Sequence, residues 1–78
     1  MSAAPDKTLD CKGLSCPEPV LKTKMAINQM QTGQILEMVA TDPGSANDIP
    51  AWARRTGNEI VESKEEGGVW KFLIKKTK

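Results

Sequence analysis

The apolar positions along this chain alternate between the period of a strand and the period of a helix. Thr8-Leu9-Asp10-Cys11 predicts a short first strand, and Lys12-Gly13-Leu14-Ser15 a loop. Cys16-Pro17-Glu18-Pro19 then opens a helix. Proline suits the first helical turn, where its missing N–H has no partner to lose, and Glu18 suits the positive helix end. Val20, Thr23, Ile27 and Met30 fall on one stripe at i, i+3, i+7 and i+10, which carries the helix to about Gln31 before Gly33 stops it. Ile35 to Thr41 is largely apolar, with Glu37 its one charged interruption, and predicts a second strand.

Asp42-Pro43-Gly44-Ser45 predicts a turn, followed by a second helix that ends near Gly57. The start of that helix is ambiguous. Ser45 with Asp48 resembles a capping box, while Asp48 also suits the cap of a helix restarting at Pro50. Ile49, Trp52 and Ala53 should face the core, and Arg54 and Arg55 suit the negative helix end as solvated charges, or else as a docking patch for an acidic partner. Glu59 to Lys64 and Val69 to Ile74 predict two strands joined at Gly67-Gly68 as a hairpin. The order βαβαββ predicts an α+β fold: a two-layer α/β sandwich with both helices on one face of a four-stranded sheet. The other face must be partly polar or covered by a partner.

The chain has 78 residues, enough for a single domain, with residues 1–7 expected to be flexible. A domain of this size buries only about 60% of its unfolded surface. It cannot wall off a deep, dry cavity, so its chemistry belongs at the surface, where a second protein can complete the site. The net charge is +1 with acids and bases interspersed, which gives no basic face for nucleic acid. The run Lys75, Lys76, Lys78 reads as a solvated terminus. Residues 1–7 hold no apolar stretch of the signal-peptide kind, and no run approaches the ~20 apolar residues of a membrane helix. The expected compartment is the cytoplasm, where thiols stay reduced.

Histidine and tyrosine are absent, which excludes Cys–His dyads and Ser–His–Asp triads within the chain. Two cysteines without histidine make a poor zinc site, so neither metal nor cofactor is expected. The reactive candidate is Cys16. It stands at a helix mouth, where free N–H groups and the helix dipole favour a thiolate. An unperturbed thiol is only about 3% ionised at pH 7, and a dipole worth roughly 0.3–1 kcal/mol raises that severalfold. Lys12, Lys22 and Lys24 are nearby in sequence and able to add to the effect. This is too little for a hydrolase lacking a base and a pocket. It suffices for a thiol that attacks sulfur already activated elsewhere, in an exchange governed by access and thiol pKa. The alternative is a small buried hydrophobe beside a helix start.

Leu9-Asp10-x-x-Gly13-Leu14-x-Cys16-Pro17-x-Pro19, followed by Gly33, Asp42-Pro43-Gly44-Ser45, Asp48-Ile49, Trp52 and Gly57, resembles the signature of the TusA/SirA-like sulfur-carrier family from about Thr8 to Lys76. The resemblance implies a mixed sheet and a persulfide on Cys16. It implies a sulfurtransferase-type carrier rather than a self-sufficient enzyme. Sulfur would come from a cysteine desulfurase or a rhodanese-like protein and pass to an acceptor protein in tRNA thiolation, cofactor assembly or dissimilatory sulfur oxidation. Pro17 and Pro19 carry over as shapers of the corner that presents the thiol, and Gly13 as its flexible approach.

Cys11 departs from that signature. It is either a resolving thiol that pairs with Cys16 or a plain strand-end residue; the C-x4-C spacing is not that of a thioredoxin-like motif. The competing functions are a thiol–disulfide switch built on Cys11 and Cys16, and an RNA-binding module, since the implied fold also occurs in the C-terminal domain of a translation initiation factor. Near-neutral charge and sparse aromatics oppose the second. Trp52 is expected in the core, Trp70 either there or at a contact, and Met25 and Met30 as fillers of packing gaps.

Overall fold

A computed structural model describes residues 5–15 and 18–77. Along the chain run β1 (Lys7–Cys11), α1 (Glu18–Asn28), β2 (Ile35–Ala40), α2 (Pro43–Thr56), β3 (Glu59–Glu66) and β4 (Val69–Lys75). The strands form one sheet in the order β1-β2-β4-β3. β1 lies parallel to β2, and both other pairings are antiparallel, so the sheet is mixed. The βαβαββ sandwich expected from the hydrophobic pattern is the fold observed.

Register places Leu9, Met38 and Phe72 side by side across three strands, with Leu36 and Ile74 forming a neighbouring rung. These residues point toward the helices. From α1, Thr23, Ala26 and Ile27 meet them, with Met30 just beyond its end, and from α2, Ser45, Ile49, Trp52 and Ala53. β2 shows the strand period plainly: Leu36, Met38 and Ala40 are buried, while Ile35, Glu37 and Val39 are half-buried on the open face. There Lys71 sits 3.5 Å from Glu37, and Leu73 is sealed between its neighbours although no helix covers it. The open face is therefore partly polar, as a sheet covered on one side requires.

Several local expectations are corrected. α1 ends at Asn28 rather than near Gln31, because Gln29 N–H and Met30 N–H donate to the carbonyls three residues back and tighten the last turn. Lys76, read as part of a solvated tail, donates from Nζ to the Ile27 carbonyl at 3.0 Å and so places a cation on the negative end of α1. Met25 is exposed instead of filling a gap. It lies two residues from both Thr23 and Ile27, about 200° around the helix from the buried stripe. Asp6 and Lys7, expected in a flexible lead, are held: the Asp6 N–H donates to the Ile35 carbonyl at 2.7 Å, and Lys7 begins β1.

The largest correction concerns Asp42-Pro43-Gly44-Ser45, which is not a turn before the helix but its beginning. Asp42 is the extended N-cap residue and Pro43 the first helical residue. Ser45 is buried within the first turn, so the Ser45–Asp48 capping box does not form the helix start, and there is no restart at Pro50. The helix runs unbroken through Pro50. An interior proline costs about 3 kcal/mol, but burying Ile49 and Trp52 on either side returns roughly 1.5–3 kcal/mol each. Gly57 ends the helix at φ +83, with the cap N–H groups turned back to the Ala53 and Arg54 carbonyls. Arg54 and Arg55 are exposed in the last turn, on the electrostatically favourable end.

Candidate functional site

Parallel pairing of β1 with β2 brings both carboxyl ends to the same side of the sheet, where Cys11 pairs with Ala40. The connections that follow, from β1 to α1 and from β2 to α2, are therefore neighbours. In open α/β sheets this is where ligands and reactive groups gather, because loops and helix N-termini converge there. Cys16 and Pro17 belong to the first connection and lie outside the described residues.

The loop leading toward them is well tied. The Lys12 N–H donates to Asp10 Oδ1 at 2.9 Å, and the Leu14 N–H to the Cys11 carbonyl at 3.2 Å. Gly13, between them, takes φ +82 and sends its N–H across to Thr41 Oγ1 at 3.0 Å. A Cβ at Gly13 would meet nothing within 4 Å, so glycine is required by the backbone angle and not by space. Gly13, read as a flexible approach, is thus bonded to the neighbouring connection. Leu14 packs against the core, and the Glu18 N–H donates to the Ser15 carbonyl at 3.0 Å.

Pro19 is fully buried, and its carbonyl accepts the Thr23 hydroxyl at 2.7 Å. It anchors the start of α1 to the core. The exposed flank of α1 presents Leu21 and Met25. A shallow groove of ≈ 210 Å³ runs between this helix and the sheet edge, lined by Lys7, Leu9, Lys22, Met25, Ala26 and Gln29. Lys12 pairs loosely with Asp10 at 4.0 Å in solvent, a contact worth little.

Cys11 is a free thiol with no exposed surface. It closes β1 as a core residue. Burial pushes its pKa up from the ordinary 9.0; Lys22 pulls it back and Asp10 adds to the rise. A thiol that stays protonated and covered is a poor partner for exchange. The sign of its linkage is testable. An acid whose folded pKa is raised stabilises the fold fully below its unfolded pKa, and that contribution is lost as pH rises past it. Between about pH 9 and the raised value, wild type should lose stability faster than Cys11→Ala, by at most ~1.4 kcal/mol per pH unit. Urea unfolding of both proteins at pH 8 and pH 10, under reductant and in a Cys16→Ser background, measures the difference. Parallel losses would remove Cys11 as the source.

Trp52 is buried in the core, and Trp70 of β4 is half-buried and packs against that core. Thr41 was missed from sequence. Only its position, one residue beyond β2 and opposite the Gly13 loop, distinguishes it, and that requires the strand pairing.

Residues 7–76 match the family model described as Sulfurtransferase TusA. The chain belongs to the TusA family. It is 56% identical over 72 residues to the sulfur carrier protein TusA of Allochromatium vinosum, covering 92% of this chain and 95% of that protein. The fold is similar to that of the SirA-like protein from Desulfitobacterium hafniense, with a TM-score of 0.79 and 23% identity over 92% of this chain and 99% of that one. The matched TusA region includes both cysteines, the Gly13 loop and Thr41. Among the described residues no helix is long and apolar enough to cross a membrane.

Proposed function

We propose that Cys16 is the residue on which this TusA-family sulfur carrier holds its cargo, as a persulfide. The Cys16 thiolate attacks the outer sulfur of a donor persulfide, R–S–SH. The donor's S–S bond breaks, a new S–S bond forms on Cys16, and the donor leaves as R–S⁻. The proton stays on the transferred sulfur, giving Cys16–S–SH. Each sulfur–sulfur bond lost is replaced by another, so no external oxidant, reductant or metal is consumed. Delivery to the acceptor repeats the exchange, with Cys16 now the leaving thiolate.

The observation that supports this choice is the burial of Cys11. The chain has two thiols, and one is sealed in the core with a raised pKa. The other precedes α1 in the connection tied down by Thr41, Leu14 and Ser15. The carrier works in the cytoplasm, where a reduced thiol persists. Its donor is a cysteine desulfurase or a rhodanese-like protein, and its acceptor a second protein. The exposed Leu21 and Met25 give such partners apolar surface close in sequence to the thiol.

Incubation with a cysteine desulfurase and cysteine should add about 32 Da, the mass of one sulfur. Dithiothreitol should remove it. A mass that stays unchanged, with the desulfurase demonstrably loaded, would reject the carrier mechanism.

A further inference from the structure

We infer that Thr41 is a positioning residue for sulfur transfer: its hydroxyl accepts the Gly13 N–H and thereby holds the loop that leads to Cys16 in register with the second strand–helix connection. The inference rests on the proposed role of Cys16. Of three successive loop amides, those of Lys12 and Leu14 bond to Asp10 and Cys11, within the same strand and loop. Such bonds shape the turn, and Leu14 packs its far side on the core, but neither ties the loop to the second strand–helix connection. The Gly13 bond spans 28 residues of sequence and joins two separate connections.

The backbone is arranged for this contact. At φ +82 Gly13 adopts the left-handed conformation, which L side chains resist, and its amide meets the Thr41 hydroxyl at 3.0 Å. Thr41 lies immediately after β2 and immediately before the N-cap of α2, so its own backbone is held from both sides. An acceptor fixed in this way constrains Gly13, which stands three residues ahead of Cys16. Both partners are solvent-exposed, so breaking the bond should move global stability little while freeing the loop.

Transfer between two proteins requires the thiol at a set place against the donor's persulfide; reaction with a small alkylating agent requires only access. The two readouts should therefore separate. Thr41→Val keeps the side-chain shape and removes the acceptor. It is expected to load from a cysteine desulfurase roughly two- to tenfold more slowly, the effect of one neutral hydrogen bond, with no slowing of iodoacetamide reaction. The Gly13 amide should exchange with solvent faster by a similar factor, the thermal midpoint should hold, and Thr41→Ser should restore both loading and protection. Wild-type loading in Thr41→Val, or loading in Thr41→Ser as slow as in Thr41→Val, would overturn the inference. Should the wild-type protein itself fail to load, the role of Cys16 falls. Gly13 exchange then decides Thr41 alone: faster exchange in Thr41→Val supports the clamp, and unchanged exchange refutes it.

Discussion

Cys16→Ser is expected to abolish sulfur loading outright, while Cys11→Ser retains it. Serine keeps the size and polarity of the side chain but offers no thiolate. A hydroxyl does not accept sulfane sulfur by disulfide-type exchange, so the loss should be complete rather than partial. Cys11→Ser perturbs a different property. It introduces a hydroxyl into a buried position paired with Ala40 and reduces stability, by about 1–3 kcal/mol if the hydroxyl finds no partner. Mass spectrometry after loading, on material first checked for folding by circular dichroism, separates the two. Equal loading of both variants would remove Cys16 as the carrier residue. Loss of loading in both folded variants would return Cys11 to the chemistry and revive a two-thiol mechanism.

The largest expected effect on stability is from Leu36→Ala. Leu36 has no exposed surface and lies on β2 between Lys7 of β1 and Ile74 of β4. Truncating such a leucine removes buried methyl groups and leaves a space that the sheet, hydrogen-bonded on both sides, closes only partly. The cost is about 2–5 kcal/mol. A domain of 78 residues has on the order of 4–12 kcal/mol in total. The melting midpoint should fall by more than about 10 °C. Leu21→Ala is the control. That side chain is 51% exposed, and its loss should change stability by no more than about 0.5 kcal/mol. Calorimetry of the two variants tests the assignment of helix-covered and outward faces. A Leu36→Ala protein that melts within a few degrees of wild type would contradict the packing described.

The same two residues show how far hydrophobic pattern reaches. In sequence, residues 35–41 are largely apolar with Glu37 the one charge, so Leu36 was not set apart from Ile35 or Val39; the structure buries Leu36, Met38 and Ala40 and leaves their neighbours half-buried. Leu21 carries the same chemistry but is exposed, off the helical stripe of Thr23, Ile27 and Met30. Periodicity left Leu21 off the helical stripe but did not pick out Leu36 within its apolar strand. It was less informative where local signals competed. Asp-Pro-Gly-Ser contains strong turn residues, yet proline and glycine are also compatible with a first helical turn. The burial of Ser45, Ile49 and Trp52 along one side of α2 decided between those possibilities. Lys76 shows the same limit. Nothing local marks it as different from Lys75, and its contact with Ile27 spans 49 residues of sequence.

The chain itself determined the element order, the two-layer sandwich and the family, because each rests on short-range periodicity and on motifs read in line. It also contained the candidate thiol, Cys16, beside its prolines. Tertiary structure decided what depends on separated segments meeting: that Cys11 is sealed beneath the helices, that Lys76 caps α1, and that Thr41 holds Gly13. Burial and long-range hydrogen bonds are properties of the assembled sheet and its helices, and the parallel pairing of β1 with β2 brings the two loop-bearing ends together.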